Sequence, residues 1–532
     1  LIGHNGKWLN VPKGLNTCYN FLTKMALVVS LTIVLVVILF ISVYCYVIRN
    51  FDYWRKRRIP YIEPTPFFGN IGSVFRCKES IGQCIATLHK QTNEPFVGIF
   101  TVDCPALLIR DLELMRHILI KDFNSFTDRN FAPDPEIEPL ASHGLFCLTG
   151  DKWRNLRGKL TSAFSISRIK NMFYLVEQCA EPMNKILTKH AENNEPLDVK
   201  DFMARYTTDV ISTCVFGVTG NAINDPNWDF YHIGRSVFKT SPLDSVKSGL
   251  LIFAPWFVKL FGIRMINDSI YDAIRKSIWT AIDLRQKNNI IRNDFIDLLL
   301  QIREKSLAED RRNDESVLFL DGDALVGQAF VFLLGGYETS STTMSLALYE
   351  MALNPVIQQK VRREIDRVLA KHNNTMSYEA VHEMTYLNQV VSETLRKYPA
   401  LPFLDRNCVK DYIIPGTNVK IDCGTKVFIS LLSLHHDPEI FPNPEQFDPD
   451  RFTEENISKR HKFAYLPFGN GPRICIGMRF GLLQTKVGLI YLLKNFEIEP
   501  LLETMKPIEF TSTNITLAIK HPLKLRIKKR TD

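Results

Sequence analysis

The chain has 532 residues, 45% apolar and 23% charged, the proportions of an ordinary globular protein with a substantial core. Its formal charge of +8 does not describe a nucleic-acid surface: residues 1–24 carry +3, residues 25–58 carry +4 and residues 520–532 carry +5, which leaves residues 59–519 at −4. Eleven cysteines without paired spacing do not spell a disulfide framework and fit a reducing compartment.

Residues 1–24 precede the first methionine, Met25, and lack the arginines of a mitochondrial leader. They are expected to be translated upstream sequence or an extra N-terminal segment. Residues 26–48 form a run of 23 without a charge, from Ala26 to Ile48. At ~1.5 Å per residue a helix here reaches roughly 34 Å, enough for a ~30 Å hydrocarbon core. A cleaved signal peptide would have a shorter apolar core. The run is followed instead by Arg49 and the cluster Arg55-Lys56-Arg57-Arg58. The expectation is a transmembrane signal anchor with the C-terminal body on the cytoplasmic side. Residues 49–66, basic and containing Pro60, Pro64 and Pro66, read as a semi-rigid linker.

From residue 67 to 532 no composition break separates domains. Two stretches alternate like strands with turn punctuation, Phe96 to Arg110 and Tyr412 to Leu431. Helical periodicity dominates elsewhere, for example Ala324 to Leu353, Pro355 to His372 and Tyr386 to Tyr398. The fold class expected is mainly α with small β-sheets.

The chemistry concentrates in four places. Trp153 and Arg157 share a helix face. The stretch Phe330 to Gly336 is apolar on nearly every side before the polar run Tyr337-Glu338-Thr339-Ser340-Ser341. Its paired glycines allow two accounts: close helix packing with Thr339 bonding back to the Gly335 carbonyl, or a locally opened helix in which Thr339 and Glu338 handle oxygen and protons. Glu393 and Arg396 are an acid and a base three apart, which alone describes a common surface pair. Finally, Pro467-Phe468-Gly469-Asn470-Gly471-Pro472-Arg473-Ile474-Cys475-Ile476-Gly477 sets one cysteine on a glycine-rich loop before the apolar helical pattern of Met478 to Leu493. A helix N-terminus lowers a thiol pKa, and nearby backbone N–H groups tune the sulfur, so the geometry suits a thiolate metal ligand. A lone cysteine is more often an inert buried thiol, and it is the glycines, Phe468 and Arg473 in register that favour ligation.

The last pattern, Phe-Gly-x-Gly-x-Arg-x-Cys-x-Gly, resembles the haem-binding loop of the cytochrome P-450 family, and the resemblance covers nearly all of residues 26–520. It implies the P-450 fold behind a single N-terminal anchor, with residues 67–532 as the haem-thiolate catalytic domain. Cys475 would be the axial ligand of haem b, with Phe468 and Gly477 framing it. Trp153, Arg157, Arg129, Arg406 and Arg473 match positions that hold the haem propionates. Thr339 and Glu338 match the oxygen-activation motif. Glu393, Arg396 and Arg451 match a buried ionic network that supports the loop, with Asp450 standing where the family usually has glutamate. The activity implied is insertion of one oxygen atom from O2 into lipophilic small molecules. Electrons would come from an NADPH-dependent cytochrome P-450 reductase, with cytochrome b5 as a second donor the resemblance allows. The location implied is the endoplasmic reticulum membrane with the catalytic domain in the cytosol. Details such as Pro402 to Cys408 and His435-His436-Asp437-Pro438 resemble arthropod microsomal, detoxification-type members. Substrate-lining stretches are expected in 131–146, 330–336, 400–404 and 511–515. Leu250 to Ile263 reads equally as a membrane-dipping segment or a buried connector.

Overall fold

A computed structural model describes residues 13–239, 241–292, 294–308, 320–504 and 507–530. The first half of the 1–24 segment and the last two residues of the basic tail lie outside the described residues.

The N-terminal helix α1 (Lys13–Ile48) begins well before the charge-free run, so residues 13–24 belong to it. Within Tyr19–Ile48 the most apolar 18-residue stretch has a mean hydropathy of 3.1 and none of it is buried. It is long and apolar enough to cross a membrane. Residues 49–66 are not the spacer expected from their prolines. Trp54 is completely buried and donates its indole N–H to the Ile99 carbonyl at 3.0 Å. Gly98 N–H donates to Pro60 and Ile62 N–H donates to Gly98, which joins this segment to the sheet. Tyr53 and Arg57 both reach the Asp422 carboxylate, at 2.7 and 2.5 Å. One large aromatic side chain, with its apolar area removed from water, outweighs the tendency of prolines to stand free.

The sheet that receives this segment contains β1 (Phe96–Thr101), β2 (Cys104–Ile109), β4 (Phe403–Asn407) and β7 (Lys426–Ser430), in the order β1-β2-β7-β4. The β2/β7 pair is parallel and the other two pairs are antiparallel. A second sheet joins β3 (Leu197–Asp198), β9 (Lys524–Lys529) and β8 (Phe496–Pro500), and a short ladder pairs β5 (Tyr412–Ile413) with β6 (Lys420–Ile421). The remainder is mainly helical, as the periodicity predicts.

Five helices place the site: α2 (Gly150–Thr161), α3 (Val199–Cys214), α4 (Gly322–Leu353), α5 (Thr385–Lys397) and α6 (Met478–Asn495). The 32-residue α4 runs through the middle of the largest core cluster and packs against α3, α5 and α6. Buried on nearly all sides, it has no polar stripe. Its hydroxyls are satisfied inside the helix, as with Thr343 to the Thr339 carbonyl at 2.8 Å and Ser345 to Ser341 at 2.6 Å.

Candidate active site

A cavity of about 320 Å³ lies between α4 and the 467–477 loop. The loop is shaped by two left-handed glycines, Gly469 (φ +72°) and Gly471 (φ +76°). A side chain at Gly471 would run into the Leu119 carbonyl oxygen, so glycine is required there twice over. The Cys475 N–H closes the loop on the Phe468 carbonyl at 2.9 Å, and α6 starts immediately after Gly477. Upstream, the Leu466 N–H donates to His435 Nε2 at 3.0 Å, which fixes the loop's entry.

Cys475, Phe468, Gly469, Arg473 and Gly477 all line the cavity. The Cys475 side chain is exposed toward this cavity. Burial pushes its pKa up, while an N–H bond from Gly477 and the charges of Arg157 and Arg129 pull it down. The net direction is upward, against the lowering expected at a helix N-terminus, because desolvation disfavours a lone thiolate. A metal ion at the sulfur displaces that proton.

Trp153, on α2, is buried under the Arg473 guanidinium, which lies 4.2 Å from its ring centre. Arg473 donates to the Thr127 carbonyl at 2.6 Å and to the Leu148 carbonyl at 2.7 Å. Arg157, one turn along α2, lines the cavity, and no hydrogen bond or ion pair to its guanidinium is present among the described residues. Arg129 bonds Asp405 at 3.1 Å and stacks on Phe146, and its buried Nε has no partner. Arg406, 2% exposed, donates to the Asp405 carbonyl at 2.7 Å and also leaves its Nε unpartnered; it does not line the cavity. Crowding and burial push both Arg406 and Arg473 down to about 9. The guanidinium groups of Arg129, Arg406 and Arg473 thus gather around two carboxylates, Asp128 and Asp405, and Arg157 stands near Arg129 as a fourth cation. The residual double positive charge and the orphaned donors fit a planar group carrying two carboxylates, as haem does. The residues present therefore fit haem.

On the opposite wall, Thr339 lines the cavity and donates to the Gly335 carbonyl at 2.6 Å. Gly335 is exposed to open space, whereas Gly336 is pressed against Ile211. The geometry is that of the first account: Thr339 bonds back to Gly335, Gly336 packs against Ile211, and the helix runs unbroken through both glycines. Glu338 is not brought to the cavity. Adjacent helical residues point about 100° apart, and Glu338 is turned toward α3. There it is 5% exposed and pairs with Lys200 Nζ at 2.9 Å and the Thr342 hydroxyl at 3.0 Å.

Glu393 and Arg396 are both fully buried, not a surface pair. They make two bonds, at 2.7 and 2.8 Å. Arg451 joins them at 3.5 Å from Glu393. Arg396 also donates to the carbonyls of His435 and Pro444, which ties the network to the segment leading into the cysteine loop.

Of the expected lining stretches, Leu145, Phe146, Val331, Phe332, Ala400 and Leu404 contribute, while 511–515 does not. In residues 250–263, Phe253 and Val258 are buried while Trp256, Leu260 and Phe261 are exposed. Sequence reasoning missed Asp405, although it adjoins Arg406, and it missed Lys200, which stands 138 positions from Glu338 and left no local signal.

The profile of the cytochrome P450 family matches residues 59–527. Cytochrome P450 6j1 of Blattella germanica is 41% identical over 481 residues, covering 90% of this chain and 94% of that protein. Cytochrome P450 6k1 of the same insect is 40% identical over 510 residues, covering 94% and 97%. Cytochrome P450 6a2 of Drosophila melanogaster is 37% identical over 487 residues, covering 90% and 96%. A cysteine loop facing a threonine across one cavity, with this similarity along nearly the whole length, places the chain in the cytochrome P450 family.

Proposed function

We propose that this oxidoreductase is a membrane-anchored monooxygenase in which Cys475 holds haem b and lipophilic small molecules are oxidised beside Thr339. The observation that carries the reading is that Cys475, Arg157 and Thr339 line one cavity. When bound, the haem iron supplies activation of O2 and transfer of one oxygen atom to substrate. Cys475 binds as the thiolate. Arg157, Arg129 and Arg473, with Trp153, would hold the propionates, and Arg406, off the cavity, would add positive charge behind them. Thr339 donates to Gly335, so its lone pairs remain available to hold a proton donor at Oγ1. Glu338, paired with Lys200 one position behind, keeps a charge near that proton route. Phe146, Val331 and Phe332 exclude water and favour apolar substrates. Electrons come from an NADPH-dependent cytochrome P-450 reductase, with cytochrome b5 as an alternative donor. The basic cluster after α1 supports a body on the cytosolic face of the endoplasmic reticulum membrane.

The test is the difference spectrum of the reduced, carbon-monoxide-bound protein in microsomes. Wild type gives a thiolate-type Soret band and Cys475→Ala does not. A thiolate-type band in that variant refutes the ligand assignment. Thr339→Ala keeps the band and releases more peroxide per NADPH oxidised; unchanged coupling refutes the role of Thr339.

A further inference from the structure

One wall of the cavity is built by Leu145 and Phe146, and a buried amide outside the catalytic set governs where that wall stands. Gln328 lies on α4, one turn before the wall residues Val331 and Phe332, and is completely buried. Its side chain reaches sideways out of the helix. Oε1 accepts the Leu145 N–H at 3.0 Å, and Nε2 donates to the His143 carbonyl at 2.5 Å and to the Ala324 carbonyl at 2.9 Å. Both ends of the amide are used, and two of the three bonds go to the backbone of 143–145. In a helix this apolar, leucine or methionine would fill the same space without any polar atom to satisfy. The amide is explained by the two backbone groups it serves, which would otherwise be buried without partners.

Neighbouring contacts make the same joint. Gly327 lets the short helix Pro139–His143 lie directly on α4, since a Cβ there would sit 2.7 Å from the Leu140 carbonyl oxygen. Gly144 faces Val331 in the same way, at 3.1 Å. On the far side of that helix, the buried Glu138 carboxylate accepts the Met265 N–H at 2.6 Å and the Tyr271 hydroxyl. The segment before Phe146 is therefore pinned from two sides. Gln328 is the pin that connects it to the helix carrying Thr339.

We propose that Gln328 is a positioning residue that fixes residues 143–145 against α4, and with them the Leu145–Phe146 wall, so that the cavity selects ligands by fixed shape and does not open to admit larger ones. The proposal rests on the reading of Cys475 as the haem ligand.

The test compares two nitrogen ligands of haem iron, imidazole and the bulky 1-tritylimidazole, by the spectral shift each produces in the purified holoprotein. In wild type the bulky ligand must displace the wall and pays for breaking the pin. In Gln328→Met that penalty is smaller, and the ratio of dissociation constants, tritylimidazole over imidazole, falls by about tenfold, the worth of roughly one net buried hydrogen bond. A merely structural role would lower the melting temperature and leave the ratio where it was. An unchanged ratio in a folded variant overturns the proposal. A wild type that shows no shift with imidazole overturns the haem reading and this inference with it. Hydrogen exchange on the wild-type chain gives a readout that needs neither variant nor ligand: the Leu145 amide exchanges as slowly as the amides of α4. Fast exchange there overturns the proposal even if Gln328→Met fails to fold.

Discussion

Replacing Arg396 with methionine tests the energetic account of the buried network most directly. The guanidinium contacts no solvent and makes two bonds to Glu393 and one each to the His435 and Pro444 carbonyls, at 2.7–2.8 Å. Without it, Glu393 keeps only the Asp448 N–H at 3.0 Å and Arg451 at 3.5 Å. Stranding a buried charge costs about 3–5 kcal/mol. Two orphaned carbonyls add about 1 kcal/mol each. A total of about 5–7 kcal/mol is half or more of an ordinary domain's stability. Arg396→Met is therefore expected to accumulate little folded, haem-loaded protein. The double variant Glu393→Gln, Arg396→Met removes the stranded charge but not the orphaned carbonyls, so it recovers about 3 kcal/mol of the loss. Urea unfolding followed by circular dichroism and Soret absorbance measures both. If the double variant is no more stable than the single one, or the single one loses less than about 2 kcal/mol, the charge-stranding argument is wrong.

Three further expectations follow from the same geometry. Gly471→Ala drives a Cβ into the Leu119 carbonyl and should abolish haem incorporation. Gly416→Ala, at a similar φ of +73° but with open space around it, should cost only about 1 kcal/mol; the haem-to-protein ratio of the two variants decides this. Burial holds the His435 imidazole down at about 3. The unfolded chain takes up that proton below about pH 6.5, so His435 alone contributes a loss of about 1.4 kcal/mol per pH unit as pH drops from there toward 3, beside the similarly buried His89. His435→Gln keeps an acceptor for Leu466 and should flatten that slope, seen in urea midpoints at pH 5 and 7.5. Lys200→Met leaves Glu338 buried with Thr342 alone and should cost about 3 kcal/mol, most of it restored by adding Glu338→Gln; equal losses in both would mean the ion pair carries no weight.

The local signals proved dependable where the physics is local. Helix limits near Gly322, Thr385 and Met478 follow from apolar periodicity and from glycine or proline at the ends, and they emerge within a few residues of the expectation. The glycines of the cysteine loop also declare themselves, since only that residue suits their backbone angles. What stayed hidden depends on partners distant in the chain. The β3-β9-β8 sheet pairs residues more than 300 positions apart through strands as short as Leu197–Asp198, too short to alternate visibly. Glu338 adjoins Thr339 in sequence, yet one helical step sends it to Lys200. The burial of Glu393 and Arg396 was unreadable from their spacing, because the same spacing serves an exposed pair equally well. The prolines of 60–66 announced an extended chain correctly but said nothing of Trp54, whose slot exists because Gly98 has no side chain to fill it.

That slot has a mechanical consequence. The peptide leaving α1 is riveted within a few residues: Arg49 and Asn50 meet Asp103, and Trp54 is sunk into β1. With α1 as the membrane span, the catalytic body has no leash on which to swivel. The tilt of such an anchor in a bilayer becomes the tilt of the whole enzyme, so bilayer thickness acts as a lever on the angle at which the body stands on the membrane.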